Sequence, residues 1–77
     1  MNLESYNQVF METFDIGKET LVELKYQDIE SWDSVGHMSL IAALEDTFAI
    51  MMDTDDIIDF SSYEIGKDIM RKYNVAL

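Results

Sequence analysis

An all-α fold, a small four-helix bundle of three longer helices and one short third helix, is predicted by three features of the sequence. Proline is absent and glycine occurs only as Gly17, Gly36 and Gly66, so little interrupts helix formation. Alternation of β-branched and polar residues, the mark of a strand, is weak. Apolar residues instead recur at three- and four-residue intervals, the spacing of one helical face. A hydrophobic content of 48% supplies a packed core, which disordered chains of high net charge usually lack. A single domain over residues 1–77 is what this length allows.

The elements follow in order. Leu3, Tyr6, Phe10 and Phe14 share one face and predict a first helix over about residues 3–14. Asp15-Ile16-Gly17 then supplies a stop, with glycine able to take the left-handed conformation at a helix end. From Asp15 to Asp33 the pattern loosens into a long loop. Leu21, Leu24, Tyr26, Ile29 and Trp32 are expected to pin that loop to the core, with a short helical turn over residues 21–25. Residues 34–50, SVGHMSLIAALEDTFAI, read as the strongest helix, capped by Asp33 or Ser34. A short helix from Thr54 to Asp59 follows, capped from Asp53 or Thr54. The last helix opens at Ser61-Ser62-Tyr63-Glu64, where Ser61 and Glu64 have the capping-box spacing. Ile65, Ile69 and Tyr73 continue it, and Arg71 and Lys72 suit the dipole of its last turn.

Charge narrows the function. Sixteen acidic residues stand against five basic ones, a net charge of −11. Such a field repels nucleic acid and anionic lipid, and it speeds encounters with basic protein patches. No apolar run approaches the roughly 20 residues of a membrane span. The start of the chain has no signal-peptide pattern. A cytoplasmic monomer that does not insert into membranes is the expectation. Cysteine is absent and His37 is the single histidine, so neither disulfides nor a multi-histidine metal site arises within one chain.

Within the second helix, Leu40, Ile41, Leu44 and Phe48 fall on a core-facing side, while Val35, Met38 and Ala42 form a separate strip beside Glu45 and Asp46. That strip packs against the short helix or the loop in one reading. In the other it is a docking surface, since an apolar strip rimmed by carboxylates suits a partner with a greasy groove and basic edges. Ser34 sits where the loop meets this helix. A serine there is most often a cap, yet a phosphate ester at the same place would be favoured by the helix dipole and its free N–H groups.

The stretch WDSVGHMSLIAALEDTF is similar to the signature of acyl carrier proteins, in which Asp-Ser-Leu or a close variant opens the second helix. Asp33-Ser34-Val35 matches that tripeptide, and Ala43-Leu44-Glu45-Asp46-Thr47-Phe48 matches the family's Ala-Leu-Glu segment at the right distance. IDFSSYEIGKDI resembles the short third helix leading into a capped fourth, so the likeness spans nearly the whole chain. The resemblance implies that a phosphopantetheinyl transferase attaches 4'-phosphopantetheine from coenzyme A to Ser34. The arm's thiol would then carry acyl or aminoacyl groups as thioesters, sheltered in the bundle interior or presented to loading and transferring enzymes with basic docking patches. By position, Asp33 would serve transferase recognition, and Val35, Met38, Ala42, Glu45 and Asp46 would contact partners. The chain itself would not be an enzyme. The family often has acids where Gly36 and Ser39 stand, and a larger residue at Ala42, which argues away from fatty-acid synthesis as the pathway. Fatty acyl, polyketide, aminoacyl and polysaccharide-modifying cargoes all stay open.

Gly36-His37-Met38-Ser39-Leu40 echoes a peptidyl-carrier motif, but Ser39 falls inside the helix and too close to Ala43-Leu44-Glu45, which favours Ser34. Asp53 to Glu64 has the length of a calcium loop, but Ile57 and Ile58 stand where a ligand and glycine belong. His37 is read as an exposed first-turn residue without a partnered nucleophile, Trp32 as a loop anchor, and the methionines as flexible filler. The competing class is an acidic helical interaction module without a covalent group.

Overall fold

The computed structural model describes residues 2–77. Its α-helices are α1 (Asn2–Phe14), α2 (Ser34–Phe48), α3 (Thr54–Asp59) and α4 (Tyr63–Lys72), so the chain is a small helical bundle. α1 presents Tyr6, Val9, Phe10 and Phe14 to the core, whereas Leu3, expected on the same face, is exposed near the end of the helix. α2 packs against α1 and contributes Leu40, Ile41 and Leu44, with Phe48 half-buried at its end. Phe10 is the hub: its ring meets those of Tyr6, Phe14, Trp32, Phe60 and Tyr63 at centroid separations of 5.0–6.2 Å. Burying a ring of this kind is worth about 1.5–3 kcal/mol, with edge-to-face contacts adding about 0.5–1.5 kcal/mol.

Three expectations about helix ends are corrected. Asp15, with φ of 53°, makes the left-handed exit of α1, while Gly17 has φ of −85°. Aspartate tolerates the left-handed region through its short polar side chain, so glycine is not needed there. α2 stops at Phe48 because Ala49 turns left-handed and its N–H returns to the Glu45 carbonyl. The cap of α4 is Ser62, whose hydroxyl accepts from Ile65 N–H at 3.0 Å, so the Ser61–Glu64 pair is not the capping pair. Asp53 occupies the cap position of α3 without a side-chain hydrogen bond.

The long connection is tied down on both flanks. A 3-10 turn forms at Lys18–Thr20, just ahead of the hydrogen-bonded turn that joins Leu24 N–H to the Leu21 carbonyl. Leu21, Leu24 and Trp32 are buried, and Tyr26 and Ile29 are half-buried, as anchors should be. Backbone bonds from Tyr26 N–H to Ser61 and from Tyr63 N–H to Leu24, both 2.9 Å, stitch the loop to the start of α4. α3 is held to α4 by Asp56, which is only 6% exposed: its carboxylate accepts from Lys72 Nζ at 2.6 Å and from the Tyr73 hydroxyl. Those two hydrogen bonds, Lys72 first, keep the Asp56 carboxyl below its ordinary pKa. Burial pushes the Tyr6 and Tyr63 phenols upward, so both remain neutral donors, Tyr6 to the Tyr63 carbonyl and Tyr63 to Asn7. No helix among the described residues is long and apolar enough to cross a membrane.

Candidate functional site

The start of α2 is built by Asp33. Its backbone is extended, its carboxylate accepts from Gly36 N–H at 2.8 Å, and its carbonyl accepts from His37 N–H at 2.7 Å. Ser34 is therefore the first helical residue and not the cap. Its side chain is exposed, with Oγ 3.3 Å from the Tyr26 hydroxyl across the loop. Asp33 has already taken the third and fourth N–H groups, which leaves the first-turn donors of Ser34 and Val35 at the outward end of the helix.

Gly36 is set by a close backbone contact. A β-carbon there would collide with the Ser31 carbonyl oxygen and press on the Phe14 ring. The last turn of the loop rests directly on the first turn of α2, and an acidic side chain has no place at this position. Ser39 lies inside α2, facing solvent.

A half-open cleft of about 360 Å³ adjoins Ser34, between the loop, α2 and α3. It is lined by Tyr26, His37, Met38, Ile57, Ile58 and Phe60, together with Ser34 and Ser61. His37 differs most from its expected role. Trp32 Nε1–H donates to Nδ1 at 3.0 Å, and Nε2 lies 2.8 Å from the Ile57 carbonyl. Indole can only donate and a carbonyl can only accept, so the ring is the neutral tautomer with its hydrogen on Nε2. Both nitrogens are committed, and the ring bridges the loop to α3 instead of facing solvent.

The strip on α2 is exposed: Val35 by 76% and Met38 by 54%, with Ala42 and Asp46 also at the surface. Packing against α3 does not cover it. Ile58 of α3, 71% exposed, extends the apolar surface across the cleft. Glu45 is different, because its carboxylate accepts from Met52 N–H at 2.9 Å and helps fix the α2–α3 connection. The structure thus brings Asp33, Ser34, Val35 and Met38 to one end and leaves Ala42 and Asp46 further along the same helix. Tyr26, His37 and Ile58 are site residues that sequence reasoning missed. His37 stands three and four residues before Leu40 and Ile41, a spacing that could have put it on the core-facing side of α2. Ile58 sits in a helix too short to show a period, and Tyr26 reaches Ser34 only through the fold of an irregular loop. No family model matches the chain, and no curated protein or solved structure matches it either.

Proposed function

We propose that this protein is a carrier whose Ser34 holds a covalent 4'-phosphopantetheine arm and presents acyl or aminoacyl groups to partner enzymes. The observation that carries the reading is Ser34 itself. Its exposed hydroxyl follows Asp33 directly, opens the 15-residue α2 and has an apolar cleft at its side. The register of Asp33-Ser34-Val35 with Ala43-Leu44-Glu45 adds the resemblance to acyl carrier proteins.

The residues fit the group. The Ser34 side chain is open to an incoming transferase, and the start of a long helix stabilises the negative charge of a phosphodiester. The carboxylate of Asp33 is turned to Gly36 N–H, so it fixes the helix start and leaves the serine clear. In the loading step the Ser34 oxygen bonds to the pantetheine-bearing phosphorus of coenzyme A. The bond from that phosphorus to adenosine bisphosphate breaks, and the hydroxyl proton passes to a base on the transferase. When bound, the arm supplies a thiol for thioester formation.

Catalysis is left to partners in this reading. His37, the chain's only imidazole, has both nitrogens engaged by Trp32 and Ile57, so it does not serve as a base for Ser34. Val35, Met38 and Ala42, with Asp46 beside them, offer partners an apolar strip with an acidic edge. The net charge of −11 favours partners with basic docking patches. The fixed close contact at Gly36 keeps the helix start less acidic than in the commonest fatty-acid carriers, which points toward another pathway.

The test is the intact mass after incubation with coenzyme A and a promiscuous phosphopantetheinyl transferase. The expected result is a gain of one phosphopantetheine group that disappears in Ser34→Ala. An unchanged mass, with the same transferase active on a control carrier, would favour an acidic interaction module that uses the exposed strip alone.

A further inference from the structure

His37 lines the cleft beside Ser34 and is backed by the stacked ring of Trp32, a wall with a consequence for cargo. Trp32 is 0% exposed and lies between Phe14 (rings 5.2 Å apart, 23°) and His37 (6.2 Å, 12°). Tyr26 and Phe60 meet the His37 ring edge-on at 5.6 and 6.3 Å. His37 is therefore flanked by three aromatic rings and held by two hydrogen bonds of opposite sense. Turning it aside would leave the Trp32 N–H and the Ile57 carbonyl without partners inside an apolar wall, which is costly. On its inner side Trp32 meets the ring of Phe10 edge-on at 5.6 Å, and Phe10 is a fully buried member of the core.

We infer that Trp32 and His37 form a plug that closes the bundle interior to cargo, so that this carrier takes short acyl groups seated in the open cleft. The inference rests on the reading of Ser34 as the attachment point. Three observations favour this occupant. At about 360 Å³ the cleft lies near the lower end of the roughly 300–1,000 Å³ that small-molecule sites span. Its lining is mostly apolar, with Met38, Ile57, Ile58 and Phe60 prominent. Ser34 is itself part of that lining, so a tethered group would be held there at high effective concentration. A long chain would have to displace the plug or lie in solvent. In this proposal the open cleft, and not the bundle interior, shelters the cargo.

The experiment uses free probes and so does not depend on the arm. Acetyl, butyryl, hexanoyl and octanoyl thioesters of N-acetylcysteamine are titrated against the ¹⁵N-labelled protein and followed by amide shifts. A chain that enters an apolar interior gains about fourfold in affinity per buried methylene. The plug predicts shifts at Tyr26, Met38 and Ile58 with every probe that binds, quiet amides at Phe10 and Leu40, and an affinity that levels off beyond butyryl. In His37→Ala the affinity should keep rising to octanoyl and the core amides should move. His37→Gln, which can still donate and accept, should behave as the parent.

Core shifts with the octanoyl probe in the unaltered protein would overturn the plug, and absence of cleft shifts with all probes would overturn the cleft as a site. Those outcomes need no variant, so they stand even if His37→Ala does not fold. A folded His37→Ala as flat as the parent would overturn the part given to His37. Failure of the carrier reading shows separately, as no mass gain on Ser34.

Discussion

Ser34 and its two neighbours divide the work at the start of α2. Asp33 caps, Ser34 is exposed, and Gly36 lets the Ser31 carbonyl sit against the helix. Asp33→Ala should cost about 1 kcal/mol through the lost cap, read as a lower urea midpoint, and a midpoint that does not move would contradict it. Gly36→Asp is the sharper case. Judged by resemblance it restores a common acid; judged by packing it overfills a closed contact. The loss expected is about 1–3 kcal/mol, and an unchanged midpoint would show that the loop yields freely. The identity and order of these residues were legible in the sequence. Which of Asp33 and Ser34 caps was not, because both residue types cap well and only the backbone conformation decides. The place of His37 is hard to read from the sequence for a related reason. Its first-turn position suggested solvent, whereas its partners Trp32 and Ile57 are set by the loop and by α3.

At the scale of elements, α3 is the least self-sufficient piece. Its six residues cannot sustain a helix alone. It is fixed from one side by His37 and from the other by Asp56 with Lys72 and Tyr73. The Asp56 carboxyl is held below its ordinary pKa, so its contribution is complete above the usual aspartate range and is lost as pH falls through the lowered value. The stability gap between the parent and Asp56→Asn should therefore be widest at neutral pH and should shrink as acid protonates the parent. A gap that stays constant down to the acid limit would contradict the latch. The sequence made the bounds of α3 visible, since Asp53 and Thr54 precede the apolar pair Ile57-Ile58. It could not show what holds α3, because residues 56 and 72 meet only after α4 has folded back. Glu45 illustrates the same limit: its place on the helix suggested docking, while its bond to Met52 N–H is a property of the turn that follows.

For the whole molecule, the radius of gyration is 11.1 Å, close to the about 11–12 Å expected of a folded chain this long. A domain of this size has about 12 kcal/mol at most, since stabilities run near 0.05–0.15 kcal/mol per residue. Phe10→Ala, which empties the aromatic hub, should cost about 3–5 kcal/mol. Trp32, the single tryptophan and fully buried, reports that loss directly by fluorescence during urea unfolding. A two-state curve with an unshifted midpoint would place the hub elsewhere. The net charge acts at this scale as well: capture by a basic partner should weaken steeply between low and high salt as the field is screened.

The central claim is that Ser34, and no other serine, accepts the arm. Trypsin should release residues 26–67 as one peptide, which contains Ser31, Ser34, Ser39, Ser61 and Ser62. After treatment with coenzyme A and transferase, fragmentation of that peptide should place the whole added mass on Ser34. Added mass on Ser39, or an unmodified peptide beside a fully loaded control carrier, would contradict the account.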